Sequence, residues 1–308
     1  MPLVPSYIKK LKNYRPGKPI SEASRETGIK DIIKLASNEN PLGASPKAIQ
    51  AIKDSLENIH RYPDASGYEL RKKLADRFKV KVDNVVLGAG SEGIMSTIMR
   101  TFLLSDDELV SAENSFIGFR VLANASGKRI HWVPMKKYRY DLEMMATKIT
   151  DYTKIIYIAN PDNPMGTYVT RKEFDQFYQY VPERVLIILD EAYFEFADEI
   201  DDYPDSMTYR YDNVITLRSF SKAYGLGGVR IGYGLAHDEL ISNLLKVKVP
   251  FEPSFTAQVA GIAALDDPEF LLKTIKANKQ GMKFFKQELN ILGVEHIPSA
   301  ANFITTVW

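Results

Sequence analysis

The sequence predicts an α/β protein built on a mainly parallel sheet, and two observations carry that reading. Between residues 84 and 237, seven short β-type runs alternate with helical patterns, the order expected of a sheet assembled from strand–helix–strand units. Several of these runs end abruptly in polar turn residues, and the carboxyl ends of strands are where open α/β sheets hold ligands. The runs fall at residues 84–87, 108–112, 129–134, 154–159, 185–189, 214–217 and 231–236.

Two helical stretches precede the first run. One begins at Ser45-Pro46, with proline at the first helical position. The next carries Ser66-Gly67-Tyr68-Glu69, the spacing of a capping box. Gly88-Ala89-Gly90-Ser91-Glu92-Gly93 then joins the first run to a helix expected over 94–103, and residues 171–180 read as a further helix. After the last run, residues 268–292 form a long amphipathic helix and 294–308 read as strand-like and apolar. The chain has no internal repeat and no low-complexity segment.

A chain of 308 residues can bury a large core and should divide into more than one domain. A formal net charge of +1 gives no electrostatic footprint for nucleic acid. The absence of cysteine excludes disulfides and thiolate metal sites, and His60, His131, His237 and His296 are too scattered for a metal centre. No apolar run reaches membrane-spanning length, and the first ten residues lack the apolar core of a signal peptide. The expectation is a cytoplasmic enzyme acting on small molecules, with no nucleic-acid or membrane partner.

Chemistry concentrates in three turns. Arg218-Ser-Phe-Ser-Lys222-Ala-Tyr-Gly225-Leu-Gly-Gly228-Val-Arg230 follows the run 213–217, placing Lys222 just beyond a strand end. A lysine amine forms a Schiff base with an aldehyde once its pKa falls enough to leave it neutral. Ser219, Ser221 and Arg230 beside it suit a phosphate, the arginine through a charge-assisted, bidentate contact. The apolar run 185–189 ends in Asp190-Glu-Ala-Tyr193, and the run 154–159 ends in Asn160-Pro-Asp-Asn163-Pro-Met-Gly-Thr167. Read singly, these are a surface lysine, a helix-capping aspartate and an ordinary turn; together they are a cofactor site.

The turn Gly88–Gly93 satisfies G-x-G-x-x-G, with Glu113 about 20 residues further on, so a dinucleotide-binding dehydrogenase is the rival reading. That rival leaves Lys222, Asp190 and Asn163 without a role, and its fingerprint normally opens the first strand–helix–strand unit. In either case the free amides at a helix N-terminus suit a phosphate.

The Lys222 segment closely resembles the lysine motif of the class I/II, fold-type-I pyridoxal-phosphate aminotransferases, particularly the histidinol-phosphate branch. The resemblance implies pyridoxal 5′-phosphate as cofactor, joined to Lys222, with Asp190 on the pyridine nitrogen and Asn163 and Tyr193 on the ring hydroxyl. It implies Gly90, Ser91 and Glu92 as the phosphate loop, with Ser219, Ser221 and Arg230 completing it, and Phe116 stacked on the ring. Tyr62, in His60-Arg-Tyr-Pro63, matches a tyrosine that reaches the phosphate of the neighbouring subunit, which implies a homodimer. Met165 stands where the family usually has threonine, and Glu92-Gly93 where it has Asp-Glu.

Asn13-Tyr-Arg-Pro-Gly-Lys-Pro19 and Ser37-Asn-Glu-Asn-Pro-Leu-Gly43 resemble the N-terminal signature of that branch, which implies histidinol phosphate and 2-oxoglutarate as the amino donor and 2-oxo acid, with Tyr14 at the substrate phosphate. Aromatic transamination, phosphothreonine decarboxylation and a silent aminotransferase-like binding protein are the alternatives. The implied architecture is an arm (1–39), a large seven-stranded domain (40–265) and the start of a smaller α+β domain (266–308), incomplete at the C-terminus. Residues 301–308 resemble that domain's first strand. The resemblance therefore implies a longer natural protein, with the arginine for the substrate carboxylate beyond Trp308. A chain ending there should bind cofactor but transaminate poorly, with 302–308 as an unpaired strand.

Overall fold

The computed structural model describes residues 3–14, 17–209 and 211–308. Seven strands form one sheet: β1 (Val85–Gly88), β2 (Glu108–Ala112), β3 (Arg129–Val133), β4 (Thr153–Ala159), β5 (Leu186–Asp190), β6 (Val214–Ser219) and β7 (Gly232–Leu235). Their order is β1-β7-β6-β5-β4-β2-β3. Only β7 runs antiparallel to its neighbours, β1 and β6, so the expected mainly parallel sheet is what forms.

The near-continuous apolar runs arise because helices cover both faces. Along β4 the side chains alternate between two cores. Ile155 and Tyr157 pack with Ile98, Phe119 and Ile188 on one face, and Ile156 and Ile158 pack with Phe174, Ile187 and Leu189 on the other. Register then levels the strand ends: Ala159 pairs with Asp190, Asp190 with Leu217, and Gly232 lies between Gly88 and Ser219. The turns that follow these ends therefore share one rim.

The helix after β1 spans Gly90–Phe102, starting four residues earlier than expected, so Ser91 and Glu92 lie in its first turn. Ser45 caps the helix Pro46–Ser55 by accepting from the Ala48 amide, as the Ser-Pro pair predicts. The capping box expected at Ser66 does not form. Gly67 adopts a left-handed conformation (φ 59°), and the helix Tyr68–Phe78 is capped from further upstream by Asp64. The Asp64 carboxylate accepts from the Tyr68 amide at 2.9 Å and from the amide and hydroxyl of Ser66. An ionised acceptor outcompetes a serine hydroxyl here, and the Tyr68 hydrogen bond holds the Asp64 carboxyl below its ordinary pKa.

A long helix, Pro268–Ile291, leads into β8 (His296–Ile297) and β9 (Thr305–Thr306), which pair antiparallel. The expectation of an unpaired strand over 302–308 is thus corrected, because the turn between them folds the segment back on itself. Among the described residues no helix is long and apolar enough to cross a membrane.

Candidate active site

Where β1, β4, β5 and β6 end, a cleft of about 210 Å³ opens. It is lined by Gly90, Ser91, Glu92, Phe116, Asn163, Asp190, Tyr193, Ser219, Ser221, Lys222 and Arg230, which are all the residues assigned to the cofactor from within one chain. Ala159, Pro161 and Ala192 also line it and were not foreseen. Tyr62 and Tyr14 do not. Tyr62 is 81% exposed and stacks on Phe251 at 4.5 Å, and Tyr14 is exposed near the N-terminus.

Asp190 occupies the floor. Its Oδ2 accepts from the Tyr157 hydroxyl at 2.8 Å, while its Oδ1 is buried without a partner. A buried carboxylate oxygen left unpaired is costly, so the position suits a cationic donor brought by a ligand. Burial pushes the Asp190 carboxyl up to about 6, against the Tyr157 hydrogen bond.

Lys222 stands above, half-buried, its Nζ donating to the Ser37 carbonyl at 3.0 Å and lying 5.5 Å from the Tyr193 ring centre. Burial lowers the amine's pKa, with Glu39 opposing and Arg230 adding to the shift. The neutral, nucleophilic amine is therefore reached closer to neutral pH than for a surface lysine.

One group of lining residues gathers hydrogen-bond donors. The Gly90–Phe102 helix presents its first-turn amides, Ser221 donates its amide to the Ser219 Oγ at 3.0 Å, and the Arg230 guanidinium pairs with Glu92 at 3.2 Å. Gly90 (φ +72°) has no side chain here for a geometric reason: a Cβ would lie 2.6 Å from the Arg230 Nη2. Gly232 on β7 is equally constrained, since its Cβ would strike the backbone of Gly90 and Ser91 at 2.7 Å. Gly232 lets the loop lie close on the sheet, and Gly90 leaves open a cradle beside Arg230 that a side chain would fill.

In the same lining, the Tyr193 hydroxyl accepts from the Asn163 amide at 3.1 Å and from the Asn38 amide at 3.0 Å. With both acceptor positions taken, its own proton is free for an oxygen in the cleft. Phe116, at the N-terminus of the helix Ile117–Ala125, forms a wall and also packs against the core behind it.

Four contributors escaped the sequence reading. Tyr157 orients Asp190 from two residues before the end of β4, a signal visible only once strand register is known. Ser37 and Asn38 come from the N-terminal segment, read there only for substrate class, and both have positive φ (85° and 52°). Arg218, first residue of the lysine motif, is buried beneath it. It is paired with Glu191 and Asp205 at 2.8 Å each and lies 3.3 Å from the Phe194 ring centre.

The topology removes the dehydrogenase reading. The strand preceding the glycine-rich turn is an edge strand whose one neighbour, β7, is antiparallel, whereas a dinucleotide fold places that strand among parallel ones. Glu113, its supposed ribose ligand, is exposed and lines no part of this cleft.

Residues 30–307 match the profile of the family described as aminotransferase class I and II. The chain belongs to that family. This aminotransferase is 41% identical over 304 residues to histidinol-phosphate aminotransferase 2 of Carboxydothermus hydrogenoformans, covering 98% of this chain and 84% of the relative. It is 44% identical to histidinol-phosphate aminotransferase 2 of Hydrogenovibrio crunogenus, covering 97% and 80%. Among solved structures it superposes on the histidinol-phosphate aminotransferase of Sinorhizobium meliloti in complex with pyridoxal-5′-phosphate. That match has a TM-score of 0.90 at 29% identity, over 99% of this chain and 82% of that one. Aspartate aminotransferase from Thermus thermophilus shares the fold at a TM-score of 0.83 and 19% identity. The aminotransferase thus has the fold-type-I architecture that the resemblance implied, with a seven-stranded sheet at its centre.

Proposed function

We propose that this enzyme is a pyridoxal-phosphate-dependent histidinol-phosphate aminotransferase of histidine biosynthesis, moving the amino group of histidinol phosphate to 2-oxoglutarate. The observation that carries the substrate is the 41–44% identity, over nearly the whole chain, to proteins of that name. The fit of the cofactor rests on the cleft itself: an orphaned buried carboxylate oxygen, a cradle left open by Gly90, and a half-buried lysine in the same lining.

When bound, pyridoxal phosphate supplies an aldehyde and a protonated ring that accepts electrons from the substrate's Cα. Asp190 would hold the proton on the ring nitrogen, which is why its Oδ1 is left free. Tyr193 would donate to the ring hydroxyl while Asn38 and Asn163 fix its oxygen. Ser219, Ser221, Arg230 and the amides of Gly90 and Ser91 would take the phosphate, displacing Glu92 from Arg230. Lys222, its pKa lowered by burial, would accept and return the proton at Cα. Phe116 would cover one ring face and exclude water.

Steady-state transamination with a panel of donors tests the substrate. Histidinol phosphate should exceed phenylalanine and tyrosine in kcat/KM by roughly 100-fold or more, because a site that pairs a phosphate is left unsatisfied without one. Equal rates with the aromatic donors would move the enzyme to the aromatic branch, and carbon dioxide release from phosphothreonine would move it to the decarboxylases. Tyr14 is assigned to the substrate phosphate on resemblance alone.

The exposed Tyr62–Phe251 stack supports a homodimer in which Tyr62 reaches the partner's phosphate. Light scattering should give twice the 34.9 kDa chain mass, and a monomer that binds cofactor normally would refute the arrangement. A cytoplasmic location and the division at residues 39 and 265 belong to the same reading.

A further inference from the structure

A second buried carboxylate lies behind the cleft, outside its lining. Asp162 is fully buried, and its Oδ1 accepts from the Ser115 hydroxyl at 2.6 Å while its Oδ2 accepts from the Met165 amide at 3.2 Å. The Ser115 Oγ is also 2.5 Å from the Tyr140 hydroxyl, which accepts from the Ala159 amide at 3.0 Å. Asp162 is held in turn by its neighbours' backbone: its amide donates to the Thr167 carbonyl and its carbonyl accepts from the Gly166 amide.

The direction of every bond follows from one fact. An ionised carboxylate only accepts, so Ser115 must donate to Asp162. Ser115 then receives the Tyr140 proton, and Tyr140 uses a lone pair for the Ala159 amide. Two donors, the Ser115 hydroxyl and the Met165 amide, face the two Asp162 oxygens, the pattern that suits the ionised form, and their hydrogen bonds oppose the rise to about 6 that burial imposes on the Asp162 carboxyl. The chain of donors ends at a single acceptor, and no member can reverse without leaving a buried group unpaired.

Each member sits beside a cleft residue that it does not replace. Ser115 precedes Phe116, Asp162 precedes Asn163, and Ala159 is itself the end of β4. We propose that Asp162, Ser115 and Tyr140 form a positioning network that sets Phe116 and Asn163 at a fixed separation across the cofactor ring. The network is distinct from the Tyr157–Asp190 pair, which serves the ring nitrogen. It makes Asp162, at a turn position that reads in sequence as ordinary, a determinant of cofactor orientation.

Asp162→Asn tests the bond directions. With its oxygen toward Ser115, the amide nitrogen faces the Met165 N–H, donor against donor. Flipped, it donates to Ser115, which must then donate to Tyr140 and leaves the Tyr140 proton without an acceptor. Either arrangement breaks one buried hydrogen bond.

This inference rests on the cofactor reading, so the experiment includes the wild-type enzyme as its reference. Apo wild type, Ser115→Ala, Asp162→Asn and the double variant are titrated with pyridoxal phosphate, following circular dichroism in the cofactor's absorption band. Each single variant should bind about tenfold more weakly, the equivalent of about 1.4 kcal/mol, with a reduced dichroic signal per bound cofactor. The double variant should bind no more weakly than the worse single one, because both remove the same network. If Asp162→Asn fails to fold, Ser115→Ala alone carries the test. Ser115→Ala binding within about twofold of wild type, with unchanged dichroism, overturns the network. So do losses that multiply in the double variant, or a lowered melting temperature with affinity intact, which would mark a merely structural role. Wild type failing to bind pyridoxal phosphate overturns the cofactor reading as well.

Discussion

Lys222→Ala should lower transamination by about 10⁴-fold or more while the protein still binds pyridoxal phosphate. The magnitude follows from losing two functions at once: the amine that joins the cofactor's aldehyde and the base that moves the Cα proton, the second alone worth about 10²–10⁴. Binding should survive because Asp190, the Asn163–Tyr193 pair and the first turn of the Gly90–Phe102 helix lie on other elements and do not depend on the lysine for position. The lysine's hydrogen bond to the Ser37 carbonyl orders the N-terminal segment rather than the sheet. Steady-state rates and an absorbance titration measure the two effects separately. Borohydride treatment of the loaded wild type followed by peptide mapping should place the cofactor on the Lys222 peptide. A variant retaining a tenth of the activity, or a label on another lysine, would falsify the assignment.

Asp190→Asn should cost about 10²–10³-fold in rate with partial retention of cofactor. Removing one partner of a buried ion pair costs roughly 3–5 kcal/mol, and about 1.4 kcal/mol is a factor of ten. Part of that cost appears as weaker binding and the rest as a ring less able to accept electrons. The pH dependence gives the sharper test. In the cofactor-free protein, burial raises the Asp190 carboxyl to about 6, above the value of about 3.9 for an unperturbed aspartate.

The folded apo protein therefore holds a proton between about pH 4 and 6 that the unfolded chain has released. Asp190 makes the apo form less stable as pH rises through that window. A bound cation reverses the sign: the ion pair draws the carboxyl down, so binding releases the proton and affinity falls as pH drops below about 6. Asp190→Asn should remove that part of the slope while leaving the part due to the cofactor's own phosphate. Identical slopes in wild type and variant, or a wild-type rate in the variant, would show that Asp190 does not meet the ring nitrogen.

Much of the site is legible in the linear chain because each piece is a strand end followed by a turn. The hydroxyl-flanked lysine, the aspartate closing the most apolar run and the glycine-rich turn opening a helix are local patterns. All of them fall in the one cleft. The α/β class was legible for the same reason, since apolar runs of strand length alternating with helical spacing leave few other architectures. Errors arose where a local rule met a nearby competitor. Ser66 and Glu69 have capping-box spacing, yet the Asp64 carboxylate takes the helix amide, because an ion is the stronger acceptor and Gly67 turns the backbone between them.

Read along the chain, the sequence thus supplies the polar and aromatic side chains that face the cleft and the chemistry they bring, though not Ala159, Pro161 or Ala192. How they are held is settled by the folded chain. Tyr157 reaches Asp190 across 33 positions, Asn38 reaches Tyr193 across 155, Lys222 reaches Ser37 across 185, and Ser115 reaches Asp162 across 47. Such partners carry no periodicity and no spacing, because hydrogen bonds between distant segments are set by strand order and register. The antiparallel β7 between β1 and β6, which lets Gly232 support the phosphate loop, is of the same kind. A side chain's type can be read in order along the chain; its partner is fixed only when the sheet closes and buried polar groups must find one another.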